Sequence, residues 1–337
     1  MKKAVVASGF LLMAVLIFAG GGQQKSVAAQ GGGTSLAKTL DIKGLHIGIV
    51  YSQPIPFFDP CDVAWEDLKK QYEPQGVKIT RDIPQANSVN NQIEVVENLL
   101  TQGVDGLIIC SVGDGLDVVI NEAIEKGVPV IMFCVDNVNS KRISYVGTSQ
   151  VKYSENTAEY LAKLMGGKGR VVGHGGVSTA PDQLERADAF KAYMNKNYPG
   201  IQIMDIQYGE GNASRTLSNI KTMYQNIKPD GFYVFNASSG SALVSVLTSQ
   251  GKGNCKVVSD NDNAELILAI RNGLIDATQT QRPYTMVIKS FELMLDMLTK
   301  AKMPPSEYIF TDTLFITKEN SDQYYDTNGR PLDRSKF

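Results

Sequence analysis

A chain of 337 residues with 43% apolar and 20% charged side chains can bury sizeable cores, which excludes general disorder. Its formal net charge is −2 and its 33 lysines and arginines are dispersed, so the basic stripe that a nucleic-acid partner needs is missing. Four cysteines, Cys61, Cys110, Cys134 and Cys255, are too few and too widely spaced for a disulfide-stapled scaffold.

Lys2 and Lys3 precede an apolar run from Ala4 to Ala19 and small residues at Gly20, Gly21 and Gly22, the order of a secretory signal peptide. The run is shorter than the roughly 20 residues that span a bilayer as a helix. The sequence predicts export, with cleavage after Gly21 or after Ala29, a leader over 1–29 and a flexible Gly/Gln/Ser/Ala tether over 30–43. A lipid anchor needs a Cys at the cleavage point, and none precedes Cys61. Export also admits one disulfide.

From Leu45 a single rhythm repeats. Leu45–Tyr51 is a strand, 60–72 a helix and 78–81 a second strand. Ser88 or Asn90 caps a helix whose Ile93, Val96, Leu99 and Leu100 share one face, and Gly103 stops it. Strand 106–110, helix 117–126 with its stop at Gly127, and strand 128–134 follow. The rhythm restarts after Tyr145. Helices at 154–165, 181–198, 213–226, 241–250 and 264–272 alternate with strands at 170–173, 201–208, 231–236, 256–259 and 277–281. Continuous Val/Ile/Leu strands alternating with helices predict parallel sheets covered on both faces, so the fold class is α/β with two similar Rossmann-like lobes. Ligands of such sheets bind beyond the carboxyl ends of the strands.

At those strand ends stand Ser52-Gln53-Pro54-Ile55-Pro56-Phe57-Phe58, Glu185-Arg186 with Ala189-Phe190, Asn236, and Gln281-Arg282-Pro283. With these residues the chain, from about Leu45 to Thr317, resembles the ribose-type family of periplasmic sugar-binding proteins. The resemblance implies aromatic walls from Phe57 and Phe58, a sugar-gripping Arg186, a hydrogen-bonding Asn236 and a hinge-side Gln281, with Ser52 beside them. A sugar has apolar C–H faces and a polar rim, so flat rings and fork-shaped donors suit it. Loop packing is the competing reading of Phe57 and Phe58, and a solvated helix charge that of Arg186.

Departures from the family bear on specificity. Cys134, followed by Val135 and Asp136, stands where ribose receptors carry Asp, and Ile55 replaces an amide. Asn261 takes the place of a sugar-binding Asp. The first-lobe half of the pocket is therefore less polar than a ribose site, which favours a deoxy sugar, a polyol derivative, a furanone or another moderately polar solute. Cys134, Asp136 and Asn261 join the candidate ligand contacts. Cys110 and Cys134 end adjacent strands, as small apolar filling, as a disulfide or as a thiol facing ligand. His46 and His174 are the only histidines, and CxxC, HExxH and GxxxxGK[ST] spacings are missing, so no metal, cofactor or catalytic triad is expected.

The resemblance further implies a three-segment hinge of the type I periplasmic binding fold. A first lobe is expected over 44–147 plus 284–309, a second over 148–283 plus 310–320, and a tail over 321–337. The crossings fall near Thr148, Gln281–Tyr284 and Phe310–Thr313. A monomeric periplasmic receptor that delivers a sugar-like solute to the permease of an ATP-driven importer is the leading expectation. The alternative is a sensor that docks a chemoreceptor or sensor kinase. A repressor-type regulator with this fold needs an N-terminal DNA-binding helix pair and no export signal.

Overall fold

The computed structural model describes residues 39–54, 56–86 and 88–336; the expected leader, most of the tether and Ile55 lie outside the described residues. In chain order the elements are β1 (His46–Val50), α1 (Asp59–Tyr72), β2 (Lys78–Asp82), α2 (Val89–Thr101), β3 (Gly106–Ile109), α3 (Asp117–Glu125), β4 (Val130–Phe133) and β5 (Ser144–Gly147). Then follow α4 (Gln150–Leu164), β6 (Gly169–Gly175), α5 (Pro181–Asn197), β7 (Ile201–Tyr208), α6 (Ala213–Ile227), β8 (Gly231–Val234), α7 (Ala237–Gln250) and β9 (Lys256–Asp260). The chain ends through α8 (Ala264–Arg271), β10 (Ala277–Thr280), α9 (Pro283–Lys300), β11 (Tyr308–Phe310), β12 (Leu314–Thr317) and α10 (Ser321–Tyr324).

Two sheets result, ordered β11-β5-β4-β3-β1-β2 and β12-β10-β9-β8-β6-β7. All pairs are parallel except β10 with β12. The apolar strands supply both faces. Ile47, Ile49, Ile108 and Ile131 pack with α1 and α9 on one side of the first sheet, while Val50, Leu107, Ile109 and Met132 pack with α2 and α3 on the other. In the second sheet Val172, Phe232 and Val257 meet α6, α7 and α8, and Val171, Tyr233 and Val258 meet α4 and α5. Such double burial is what parallel strands require.

Helix boundaries follow the capping chemistry. Ser88, not Asn90, caps α2 by accepting a hydrogen bond from the Asn91 amide, and Gly103 beyond the helix takes φ +73°. Helices α4 and α7 each begin four residues earlier than their apolar periodicity indicates, and α9, whose apolar periodicity starts at Met286, begins three residues before it. Their first turns are polar or small, and only the caps Ser149 and Asn236 and the Pro283 start announce them. Strands β5 and β11 are short and rich in Ser, Tyr and Gly and carry no clear strand pattern. They form because β5 pairs between β4 and the edge strand β11, and the Ser144 hydroxyl donates to the Ser306 carbonyl at 3.0 Å.

The chain changes sheets between β5 and α4, between β10 and α9, and between β11 and β12. Phe310, expected to open the last second-lobe segment, pairs with Gly147 in the first sheet instead. The tail is fastened to the body. Tyr325 is 1% exposed within the second-lobe core, and Arg271 of α8 donates to Ser321 Oγ at 3.2 Å and to the carbonyls of Tyr325 and Asp326 at 2.8 and 2.5 Å. Arg334 closes the segment with an ion pair to Asp59 of α1 at 3.0 Å. Arg271→Ala removes three charge-assisted hydrogen bonds and is expected to cost about 2–4 kcal/mol in urea unfolding, with earlier protease cleavage after residue 320. An unchanged unfolding midpoint contradicts this role of the tail.

Candidate ligand-binding site

The matching strand orders and registers make the two lobes superposable position by position. Val50 pairs with Ile109, and Ile109 with Met132; in the second sheet His174 pairs with Val234, and Val234 with Ser259. Ser52 therefore corresponds to Gly176, Cys110 to Phe235, Phe133 to Asp260 and Cys134 to Asn261. Cys134 and Asn261 share a further property: both take left-handed backbone, φ +61° and +74°. That conformation strains a non-glycine residue and bends the chain away from the strand immediately after its last pair. Each lobe thus turns its β4 or β9 end in the same way.

The first-lobe strand ends form an aromatic corner, with the Arg81 guanidinium 5.6 Å from the centre of the Tyr51 ring. Tyr51 stacks on Phe58 at 4.8 Å, Phe133 meets both edge-on, and Phe57 stands edge-on to Phe58 at 5.2 Å. Gln92 of α2, fully buried, staples the loops by donating to the carbonyls of Tyr51 and Cys110 and accepting from the Val112 amide. The Cys110 thiol donates to Ser52 Oγ at 3.7 Å and shares a hydrogen bond with the Cys134 thiol. All four cysteines are free. The Cys110 hydrogen bond and then burial hold the Cys134 thiol well above its ordinary pKa, and burial does the same for Cys61, so both stay protonated. Asp136 faces elsewhere: Arg142 grips both its oxygens at 2.6 and 2.7 Å and reaches Glu307 at 3.0 Å.

The second-lobe strand ends concentrate the charge. Arg186 of α5 donates from Nε to Gln150 at 2.7 Å and from Nη1 to Asp260 Oδ2 at 2.8 Å, and lies over the Tyr153 ring at 4.9 Å. The Tyr233 hydroxyl donates to the same Asp260 oxygen at 3.1 Å. Burial raises the Asp260 carboxyl to about 6, outweighing the opposing pull of Arg186. Beside the pair, fully buried Gln279 accepts from Thr157 at 2.5 Å and donates to Thr313 at 2.6 Å, tying α4 and β10 to the last crossing. The charge of Arg186 acts on Cys134 and Tyr145, so the two sets of strand ends face each other.

The structure brings Ser52, Cys134 and Arg186 to this common region and corrects several expectations. Phe58, 4% exposed, is an aromatic core residue rather than a wall, and Phe57 is half-buried at the edge of the same cluster. Asp136 is committed to Arg142. Arg186 is neither a solvated charge nor a free grip but half of a buried ion pair. Asn236 caps α7 through Oδ1, leaving its amide nitrogen for other partners, and Asn261 and Gln281 are half-buried at their strand ends. Sequence reasoning missed Asp260, Tyr153, Gln150 and Gln279. Asp260 was legible only as the last residue of a strand read one residue too short. His174, inside β6, donates or accepts through Nδ1 with Ser239 at 2.8 Å, and burial lowers it to about 4 and keeps it neutral.

Two α/β lobes with facing strand ends and three connecting segments define a two-lobed receptor. Residues 47–302 match the model of the periplasmic binding protein domain, and the chain belongs to that family. It is 25% identical over 219 residues to a ribose import binding protein of Bacillus subtilis, covering 64% of this chain and 70% of that one. A D-ribose/D-allose-binding protein of Pseudomonas aeruginosa is 25% identical over 254 residues, 72% and 78% of the two chains. A xylitol-binding protein of Mycolicibacterium smegmatis is 23% identical over 243 residues, 70% and 68%. Among solved structures, a solute-binding protein of Burkholderia graminis in complex with D-arabinose shares the fold at TM-score 0.75 and 24% identity, covering 85% of this chain and 99% of that one. A sugar-binding protein from Bacillus halodurans does so at TM-score 0.77 and 20% identity, 84% and 100%.

Because Arg186 and Asp260 are buried together, Arg186→Ala leaves an uncompensated carboxylate and is expected to destabilise the empty protein by about 3–5 kcal/mol. Phe58→Ala opens the aromatic core and is expected to cost a similar about 3–5 kcal/mol. Chemical denaturation of ligand-free protein checks both, and a loss under 1 kcal/mol at either position contradicts the packing described.

Proposed function

We propose that this protein is an extracytoplasmic receptor that captures a neutral sugar or sugar-like solute between its lobes and delivers it to the permease of an ATP-driven importer. The observation that carries the reading is the pairing of unlike strand ends across the cleft. The second lobe offers polar forks from Arg186, Asn236 and Gln281, and the first offers a ring and thiols from Phe57, Cys110 and Cys134. One side suits a hydroxylated rim, the other a C–H face or an unsubstituted carbon. Contacts from both lobes stabilise the closed form by their differential affinity for it, and a closed shape is what a permease can recognise. The named sugar- and polyol-binding relatives support capture rather than turnover, and the family and the expected leader support a periplasmic location. No helix among the described residues is long and apolar enough to cross a membrane.

The first-lobe thiols favour a ligand with fewer hydroxyls on that edge, such as a deoxy sugar or a polyol. Titration calorimetry with D-ribose, 2-deoxy-D-ribose, D-allose, D-arabinose and xylitol tests this, with at least one expected to bind. Heat from none of them withdraws the sugar reading. Phe57→Ala is expected to weaken the best binder about tenfold, while the thermal midpoint of the empty protein moves little, since Phe57 only edges the core. Loss of uptake of that solute on gene deletion supports delivery to an importer, whereas intact uptake with a lost transcriptional response favours a sensor role.

A further inference from the structure

Cys61, Cys110 and Cys134, far apart along the chain, come together in one cluster of the first-lobe core, while Cys255 sits in the core of the second. Two of the three are juxtaposed by the sheet. Strands β3 and β4 run parallel with Ile109 beside Met132, so Cys110 follows the end of one strand and Cys134 the end of the other. Along β4, Ile131 and Phe133 pack with α1 and α9, while Val130 and Met132 pack with α2 and α3. Strict alternation sends residue 134 to the second face, away from Cys110, which packs with Ile108 on the first. The left-handed backbone of Cys134, φ +61°, breaks that alternation, and its side chain packs on the first face. There the two thiols share a hydrogen bond. Asn261, at the equivalent turn of the second lobe, is a residue type that tolerates this backbone, and Cys is not.

The strand ends are also held at a fixed spacing. The Ser111 amide donates to the Val135 carbonyl at 3.2 Å, the Cys134 amide to the Val146 carbonyl at 3.1 Å, and the Tyr145 hydroxyl to the Cys134 carbonyl at 2.8 Å. Neighbouring parallel strands about 4.8 Å apart, offset by one residue of about 3.3 Å, put two Cα atoms roughly 6 Å apart, within the roughly 4.4–6.8 Å that a disulfide bridges.

We propose that Cys110 and Cys134 are a modification site, forming a reversible disulfide across the ends of β3 and β4 when the protein meets a disulfide-bearing oxidant. The site does not depend on which solute the protein binds. Cys134, only half-buried, is the entry point, and Cys110, fully buried, is the resolving thiol. Burial pushes the Cys110 thiol up, but hydrogen bonds from Cys134 and then Ser52 outweigh it and bring it below its ordinary value. A proton passed along the shared hydrogen bond puts the thiolate on Cys134, which attacks one sulfur of the oxidant and expels the other. Cys110 then attacks Cys134 Sγ and expels the sulfur still bound there. One S–S bond breaks and one forms; two protein thiols are oxidised, the oxidant is reduced to two thiols, and these take up the two protons. Cys61 does not compete, since its thiol donates to the Pro283 carbonyl at 3.5 Å and burial holds it protonated. The bond closes a loop of about 25 residues around α3 and β4, and it removes the Cys110 donor from Ser52 Oγ.

The test treats the folded protein with oxidised glutathione, then denatures it in iodoacetamide and maps its peptides by mass. Two of the four thiols are expected to escape alkylation, in a Cys110–Cys134 linked peptide that dithiothreitol releases. Cys61→Ser is expected to keep the link and Cys134→Ser to lose it. The oxidised wild-type protein is expected to melt about 5 °C above the reduced one, with no such difference in Cys110→Ser. Four alkylated thiols after oxidation, a glutathione adduct that persists on Cys134, or a bridge to Cys61 overturns the proposal. If a variant does not fold, the wild-type peptide map decides by itself.

Discussion

Each parallel sheet here is buried on both faces, and that requirement governs where polar chemistry can stand. Between α1 and α9 on one side and α2 and α3 on the other, the central strands β1, β3 and β4 of the first sheet are lined mainly by Val, Ile, Leu, Met, Phe and Gly. The second is confined in the same way by α4, α5, α6, α7 and α8. Few hydrogen-bonding side chains are accommodated inside, His174 and Gln279 among them, and others gather at the ends of the strands, where the ladder stops and the next loop begins. A binding site at the strand ends is therefore a consequence of the layer architecture before any ligand is considered.

The two lobes answer that constraint with opposite chemistry on one backbone. The turn after β4 and the turn after β9 both pass through left-handed conformation, at Cys134 and at Asn261. Yet Phe133 before the first turn completes an aromatic stack, and Asp260 before the second completes an ion pair with Arg186. One set of strand ends carries rings and thiols, the other a buried ion pair. Binding between them joins two lobes whose covalent links are the three crossings and whose tail is pinned by Arg271 and Arg334.

Exchange of Phe133 for Asp260 at one register shows how a duplicated architecture acquires asymmetry. The carboxylate keeps its place only because α5 brings a guanidinium and α4 and β8 bring tyrosines to it. Three separate elements converge on a group that an isolated strand sequence marks merely as a terminus. The same convergence withdraws Phe58 from the cleft, since Tyr51 and Phe133 enclose it, and turns Asp136 aside toward Arg142.

By itself the sequence determined the repeating strand–helix order, the parallel sheets and the strand ends to inspect, because apolar periodicity and helix stops are local properties of the chain. It also singled out Ser52, Cys134 and Arg186, which the fold brings to the ends of their strands or to the first turns of α5. Short strands such as β5 and β11 were beyond it, since their pairing is stabilised by partners more than 150 residues apart, as Ser144 and Ser306 are (|i−j| of 162). Tertiary structure alone decided which polar groups are free to meet a ligand. Whether Arg186 is a grip or a paired ion, whether Phe58 is a wall or a core ring, and whether Asp260 is a strand end or part of the site all depend on distant residues that share no pattern along the chain, only a place in the fold.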